Sequence, residues 1–138
     1  MGGARGGNLF PPRFRLRAVP AEHPEPLPEV PADTFFAVDI RVGRVLSCEA
    51  FPQARRPAYR MVIDLGELGT RRSSARLTDR YRPEDLEGRL VVCVVNLPPR
   101  QVGPVRSEVF VLGAYERGSD IVALLAPDGD CVPGDKIG

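Results

Sequence analysis

The pattern of apolar and polar positions predicts a series of short β-strands from Thr34 to the end of the chain. In VDIRVGRV (38–45), apolar and polar residues alternate up to Val42, and Gly43 then shifts the alternation so that Val45 is apolar. A period of two is typical of a strand with one buried face. A glycine at the break favours a β-bulge or sharp coil, which would let one long strand serve both sides of a small barrel.

The next two predicted strands differ in polarity. AYRMVIDL (58–65) has large apolar residues at alternate positions, which predicts a core-facing strand with Arg60 on its opposite face. Tyr59 is a candidate for the binding face, but it shares its side with Met61 and Ile63, so its spacing favours the core. TRRSSARL (70–77) is polar, and its outer face would carry Arg72, Ser74 and Arg76. The two strands together therefore predict an apolar inner face and a polar outer face.

The second half of the chain predicts one short helix and the remaining strands. RPEDLEG (82–88) has proline at a first helical position, acids in the first turn and glycine at the end, which indicates a helical turn. LVVCVV (90–95) is apolar on both faces, as in a strand that is covered on both sides. SEVFVLGAY and DIVALLAP predict a hairpin across the ERGSD turn, and CVPGDKIG supplies a last glycine-bounded turn.

This order of elements predicts an all-β fold. Several short strands with a short helix between strands 3 and 4 are typical of a five-stranded Greek-key barrel of the oligonucleotide-binding (OB) type, here with additional terminal strands. Such barrels commonly bind ligands on the face of strands 2 and 3 and on the adjoining loops. We therefore assign residues 34–138 to one barrel domain and expect its binding site there.

The first 33 residues form a separate segment. They contain seven of the fifteen prolines, and no apolar period of two or 3.6 runs through them, so we predict a proline-rich, flexible N-terminal arm. The start MGGARGGNLFPPRFRLR lacks the apolar core of a signal peptide, and no apolar run in the chain approaches a membrane span. We expect a cytoplasmic protein without membrane insertion.

Composition argues against several classes of enzyme. The single histidine, His23, lies in AEHPEPLPE, where no neighbour would orient it for acid–base catalysis. Cys48, Cys93 and Cys131 form neither a CxxC pair nor an even disulfide set, so we interpret them as buried or incidental thiols. No GxxxxGK[ST] or GxGxxG phosphate loop is present. We therefore predict no catalytic residues, no metal site and no cofactor.

The net charge of +1 conceals an uneven distribution. Residues 51–106 contain eleven arginines and six acids, a net charge of +5, whereas residues 107–138 contain two basic residues and six acids, a net charge of −4. Scattered arginines alone favour a solvated surface over nucleic-acid binding. The charge pattern therefore permits a nucleic-acid site in the middle of the chain but does not require one.

From Phe36 to Gly138 the sequence resembles the CsaA family. The resemblance rests on VDIRVGRV, FPQARRPAYRMVIDLG, SSARLTDRYRPEDLEGR, VVNLPPRQVGPVRSEVFVLG and VPGDKIG, which follow one another in order with few gaps. CsaA proteins are export-related chaperones built on the tRNA-binding domain that is also found in many methionyl-tRNA synthetases and in endothelial monocyte-activating polypeptide. The proline-rich arm is not part of the family pattern.

The resemblance implies a homodimer of barrels without catalytic activity that binds tRNA by shape and phosphate contacts. As the alternative function, it implies an export-related chaperone that holds unfolded preproteins through an apolar pocket of the dimer, with the export machinery as a further partner. A detached accessory domain of a synthetase is a third interpretation, weaker because no catalytic portion of a synthetase is present.

The resemblance also selects candidate nucleic-acid-binding residues. Asn96 to Ser107 would form a rigid loop between two strands, whose prolines hold its arginines at little entropic cost. Asn96 has an equally good structural interpretation, in which its amide caps that loop. The predicted site comprises Arg72, Ser73, Ser74, Arg76, Asn96, Arg100, Arg106 and Ser107.

Overall fold

The computed structural model describes residues 25–51 and 56–138, so most of the predicted arm and His23 lie outside the described residues. Two short helices, ten strands and two 3₁₀ turns, at Gly66–Leu68 and Glu116–Gly118, make up this part of the chain. The helices and strands are α1 (Ala32–Phe36), β1 (Ile40–Ala50), β2 (Tyr59–Asp64), β3 (Thr70–Ala75), α2 (Pro83–Leu86), β4 (Leu90–Val94), β5 (Arg100–Val102), β6 (Val105–Ser107), β7 (Phe110–Val111), β8 (Gly113–Tyr115), β9 (Val122–Leu124) and β10 (Lys136–Ile137).

The strands confirm the predicted all-β barrel. The main sheet is antiparallel in the order β3-β2-β1-β4-β7, and β10 pairs with the start of β1. β5 and β6 form one separate hairpin, and β8 and β9 form another. α2 lies between the third and fourth strands, as the RPEDLEG sequence indicated, and its Leu86 is fully buried.

β1 is the longest strand, and the position of its bulge corrects the sequence-based prediction. The pairing with β4 is continuous from Ile40 to Arg44, so Gly43 is not a bulge. The irregularity lies between Val45 and Ser47 in the pairing with β2. The apolar pattern shifts at Gly43 because β1 is buried on both faces: Ile40 packs in a small cluster with β4, whereas Val45 enters the main core.

Gly43 is required for a different reason, namely close packing. A Cβ atom at this position would lie 2.6 Å from Cγ2 of Ile63 and 3.1 Å from Cδ2 of Leu65. Both side chains belong to the main core, where neighbouring atoms pack at near-crystalline density. Gly43 therefore leaves the space that the side chains of Ile63 and Leu65 fill inside the barrel.

β2 and β4 both contribute several residues to the core. Tyr59, Met61 and Ile63 all point into the main cluster, as the alternation in AYRMVIDL predicted. β4 is buried on both faces, with Val91 and Cys93 in the main core and Val92 and Val94 in the smaller cluster. The prediction that LVVCVV forms a doubly covered strand is confirmed.

Two features were not predicted. α1 begins at Ala32 and crosses the predicted boundary between arm and domain at residue 33, because the segment was too short for a helical period to be visible. The expected rigid loop between Asn96 and Ser107 is a β-hairpin, in which β5 pairs with β6 around a turn containing Gly103, with φ of 59°. Its sequence lacks a long alternating pattern because each strand has only three residues.

We predict that Gly43→Ala lowers the free energy of unfolding by about 1–3 kcal/mol, because the added methyl group overpacks the core beside Ile63. Chemical denaturation measures the change. Gly129→Ala is the matched control, since a Cβ atom there would meet no atom within 4 Å. A Gly43 variant as stable as the control would contradict this packing role.

Candidate nucleic-acid interface

The outer edge of β3 closes the barrel against residues 107–109, and we call this junction, Arg72–Ser74 with Ser107–Val109, the barrel seam. One backbone bond crosses it, from Glu108 N to Arg72 O at 2.8 Å. Three further bonds use side chains: Arg72 N donates to Oε1 of Glu108 (2.8 Å), Ser74 N donates to Oγ of Ser107 (3.0 Å), and Ser73 Oγ donates to Val109 O (2.8 Å). Side-chain oxygens thus replace part of a regular strand ladder.

Two of the predicted site residues are structural parts of this seam. Ser73 is fully buried, and Ser107 is 6% exposed. Their hydroxyl groups already bond to the opposite side of the seam. These bonds hold the two sides of the seam together, whereas the half-buried Ser74 lies on the outer face of β3.

Asn96 has a structural role, although in the part of the chain that the structure describes its amide does not bond to the loop that follows it. Its Oδ1 accepts a hydrogen bond from Asp39 N (2.8 Å), and its Nδ2 donates to Ala37 O (2.8 Å). Backbone N of Val95 also donates to Asp39 O at 2.9 Å. The amide therefore joins the end of β4 to the link between α1 and β1.

The β5–β6 hairpin, residues 100–107, is hereafter the arginine hairpin because it carries the exposed Arg100 and Arg106. Val105 packs with Phe51 and Ala58 in a small buried cluster, against which Val102 also lies. Phe51 N donates to Ala58 O at 3.0 Å, which holds the base of the β1–β2 loop under the hairpin. The hairpin is fixed by this cluster on one side and by the seam on the other.

The outer faces of β1, β2 and β3 form two cross-strand rows beside the hairpin. Ser47, Val62 and Arg72 pair in one row, and Glu49, Arg60 and Ser74 in the other. A groove of about 270 Å³ lies between these rows and the hairpin, and we call it the outer groove. It is lined by Ser47, Glu49, Arg60, Met61, Val62, Arg72, Pro104 and Val105.

Sequence reasoning omitted Ser47 and Glu49 from the candidate site. The bulge after Val45 changes the face on which these residues lie, and nothing in the apolar pattern locates that bulge. Arg60 was visible as an outward residue of the second strand, and the structure places it next to Glu49, with Nη2 and Oε1 at 3.2 Å.

The arginines of the predicted site differ in their charge partners. Arg72 lies near Glu108, with Nε and Oε1 at 3.8 Å, so the acidic last segment reaches into the basic face. Within residues 25–51 and 56–138, Arg76, Arg100 and Arg106 have no carboxylate within 4.0 Å. Arg76 follows the end of β3 and is also exposed. The structure thus places Arg72 on the outer face of β3 beside the seam, and Arg100 and Arg106 on opposite faces of the hairpin.

Two of the cysteines are buried thiols with raised pKa values. Burial raises the pKa of Cys93 to about 12, and burial with the nearby carboxylates raises the pKa of Cys48 to about 11, so both thiols stay protonated at neutral pH. Among these residues, no three His, Cys, Asp or Glu side chains come together as metal ligands. No helix in the described part of the chain is long and apolar enough to cross a membrane.

Comparison with known proteins identifies a matching domain family and similar proteins. Residues 40–136 match the family described as a putative tRNA-binding domain. The methionine–tRNA ligase of Thermotoga maritima is 38% identical over 105 residues, which cover 76% of this chain. This match spans only 16% of that ligase, so the likeness concerns a small part of the enzyme.

Two solved structures are similar over their whole length. The crystal structure of chaperone CsaA from Bacillus anthracis is 44% identical, with a TM-score of 0.77, and covers 80% of this chain and 100% of its own. The CsaA chaperone protein from Picrophilus torridus is 40% identical, with a TM-score of 0.73, and has the same coverage of both chains.

We predict that Ser73→Ala lowers the free energy of unfolding by about 1–3 kcal/mol, because it leaves the carbonyl of Val109 without its buried donor. Ser74→Ala serves as the neighbouring control and should stay within about 0.5 kcal/mol of the wild type. Thermal or chemical denaturation compares the two variants. If Ser73→Ala kept full stability and instead lost RNA affinity, Ser73 would be a ligand contact.

Proposed function

Because the chain belongs to the tRNA-binding domain family, of the CsaA type, we propose that it is a non-catalytic protein that binds tRNA by shape and phosphate contacts. The proposed surface consists of the outer face of β3 and the arginine hairpin. Its contact residues are Arg72, Ser74, Arg76, Arg100 and Arg106, while Ser73, Asn96 and Ser107 hold the backbone that carries them.

The observation that carries this proposal is the attachment of the arginine hairpin to the edge of β3. The seam and the cluster around Val105 fix the hairpin on the barrel next to β3, so Arg100 and Arg106 extend from a fixed backbone before any ligand arrives. Exposed arginines without carboxylate partners are available to phosphate oxygens, which they bind in a bidentate manner. Preorganisation of this kind reduces the entropic cost of binding.

A second candidate function is the holding of unfolded preproteins for export. The observation that favours it is a pair of exposed aromatic rings on α1: Phe35 is 44% exposed and Phe36 is 70% exposed, and their centroids lie 5.3 Å apart. The cavity between Leu97 and Phe110 measures about 50 Å³, which is small for a peptide side chain. A peptide pocket would therefore need a second copy of the chain.

We propose that either function, tRNA binding or the holding of preproteins, is carried out in the cytoplasm.

We also propose that the protein is a homodimer and that α1 lies in its interface. Exposed large apolar residues on a small domain are commonly covered by a second copy. Phe36 is among the most exposed apolar residues that the structure describes in the barrel domain. Its position on a short helix at the edge of the barrel leaves it accessible to a partner.

We predict that Arg100→Ala and Arg106→Ala each weaken tRNA binding and flatten its salt dependence. Each lost phosphate contact should reduce the slope of log affinity against log salt by about 0.7–0.9, because fewer counterions are released. Different tRNAs should be weakened alike, since phosphates carry no sequence information. The measurement is a salt titration of tRNA affinity by fluorescence anisotropy.

Lys136→Ala is the control for loss of one positive charge, since Lys136 lies on β10 at the other end of β1. It should change affinity only slightly and leave the slope intact. Unchanged slopes in both arginine variants would move the RNA site elsewhere. Absence of tRNA affinity at low salt would exclude the RNA function and favour the chaperone.

For the dimer, we predict that Phe36→Asp shifts the protein to a monomer, because a buried charge without a partner strongly disfavours the interface. Sedimentation equilibrium at micromolar concentrations measures the mass. Leu46→Asp is the control, since Leu46 is 50% exposed at the bulge of β1 and lies outside the proposed interface. A monomeric wild type, or a Phe36 variant that remains a dimer, would contradict the proposal.

A further inference from the structure

We propose that the outer groove binds one unpaired nucleotide of the RNA, with its base held between the sheet and the arginine hairpin. This inference rests on the proposed RNA binding and adds a specific site to it. The proposed phosphate contacts of Arg100 and Arg106 are independent of base identity, whereas the outer groove can distinguish a splayed-out base from a paired one.

The size of the groove suits a single nucleotide. Its volume of about 270 Å³ lies near the lower limit of pockets for small ligands, which is about 300 Å³. A duplex cannot enter such a space, because an A-form helix presents only its shallow minor groove and its phosphates to a protein surface. An unpaired base from a loop or a chain end can enter it.

The lining provides what a nucleobase requires. Val62 on the sheet and Pro104 on the hairpin offer apolar surface for the face of the base, and the nearly buried Val105 lies at the bottom of the groove. Ser47 and Glu49 lie along one side and can accept or donate hydrogen bonds at the base edge. These groups come from strands and from a fixed hairpin, so the groove exists in the absence of ligand.

The charges at the groove suit the nucleotide's phosphate. Arg60 and Arg72 both line it, and a guanidinium group can stack on a base or bind a phosphate. Each of them faces one carboxylate: Arg60 faces Glu49 at 3.2 Å, and Arg72 faces Glu108 at 3.8 Å. Because all four side chains are at least 32% exposed, these pairs are weak and can exchange partners with a phosphate at little cost.

The first experiment titrates the ¹⁵N-labelled full chain with guanosine 5′-monophosphate and, as a control for phosphate alone, with ribose 5-phosphate. We expect amide shifts at Val62 and Val105 with the nucleotide and much smaller shifts with the sugar phosphate. Equal shifts from both compounds, or no shifts at these amides, would overturn the inference. The wild-type protein suffices for this measurement.

The second experiment fills the groove with Val62→Trp and compares Val132→Trp, which adds the same ring at an exposed valine outside the groove. Loss of one base–protein contact should weaken binding of tRNA and of a single-stranded oligoribonucleotide at least about fivefold. Binding of a blunt-ended RNA duplex should change little. Val132→Trp should bind all three RNAs as the wild type does.

The two proposals fail in different ways. If the wild type binds neither tRNA nor the oligoribonucleotide at low salt, RNA binding itself is wrong. If it binds both, and Val62→Trp weakens them no more than Val132→Trp does, the groove inference alone is wrong. Arg100→Ala should weaken tRNA and duplex alike, which separates the phosphate surface from the groove.

Discussion

The closure of the barrel at its seam is the constraint on which the rest of the structure depends. A sheet with the order β3-β2-β1-β4-β7 has an open edge at β3. Unpaired backbone groups at such an edge cost free energy when they are buried, and they can pair with other chains when they are exposed. Here Glu108, Ser107 and Ser73 supply side-chain partners where a regular ladder is missing. The same bonds bring the arginine hairpin against β3, so one set of contacts completes the core and builds the outer surface.

Because the seam both closes the barrel and supports its outer surface, the polar residues of this region are of two kinds. Ser73 and Ser107 face the seam and are buried, whereas Arg72 and Ser74, the two sequence neighbours of Ser73, lie on the outer face. Glu108 belongs to both kinds, since its carboxylate accepts a bond from the backbone of Arg72 and also lies near its guanidinium group. A negative charge at that point reduces the net positive charge of this face.

The sequence predicted those features that depend on one strand at a time. The inner face of β2, the doubly covered β4 and the turn at Pro83 follow from alternation and from local helix signals. The bulge after Val45, the role of Asn96 and the burial of Ser73 depend on segments far apart in the chain, so no local pattern contains them. The family resemblance pointed to the polar residues of this region as one group. Only the structure distinguishes those that hold the seam together from those that face outward.

The pairing of β1 with β10 also bears on the order in which the chain can fold. Ile40 pairs with Ile137, so the first strand of the sheet receives one of its neighbours only after Ile137 has left the ribosome. Until then the start of β1, which carries buried apolar residues on both faces, has an open edge that can pair with other chains. Contacts between such distant residues also form slowly, because a long loop must close first. The newly made barrel is therefore most exposed to aggregation in the interval before its last strand is added.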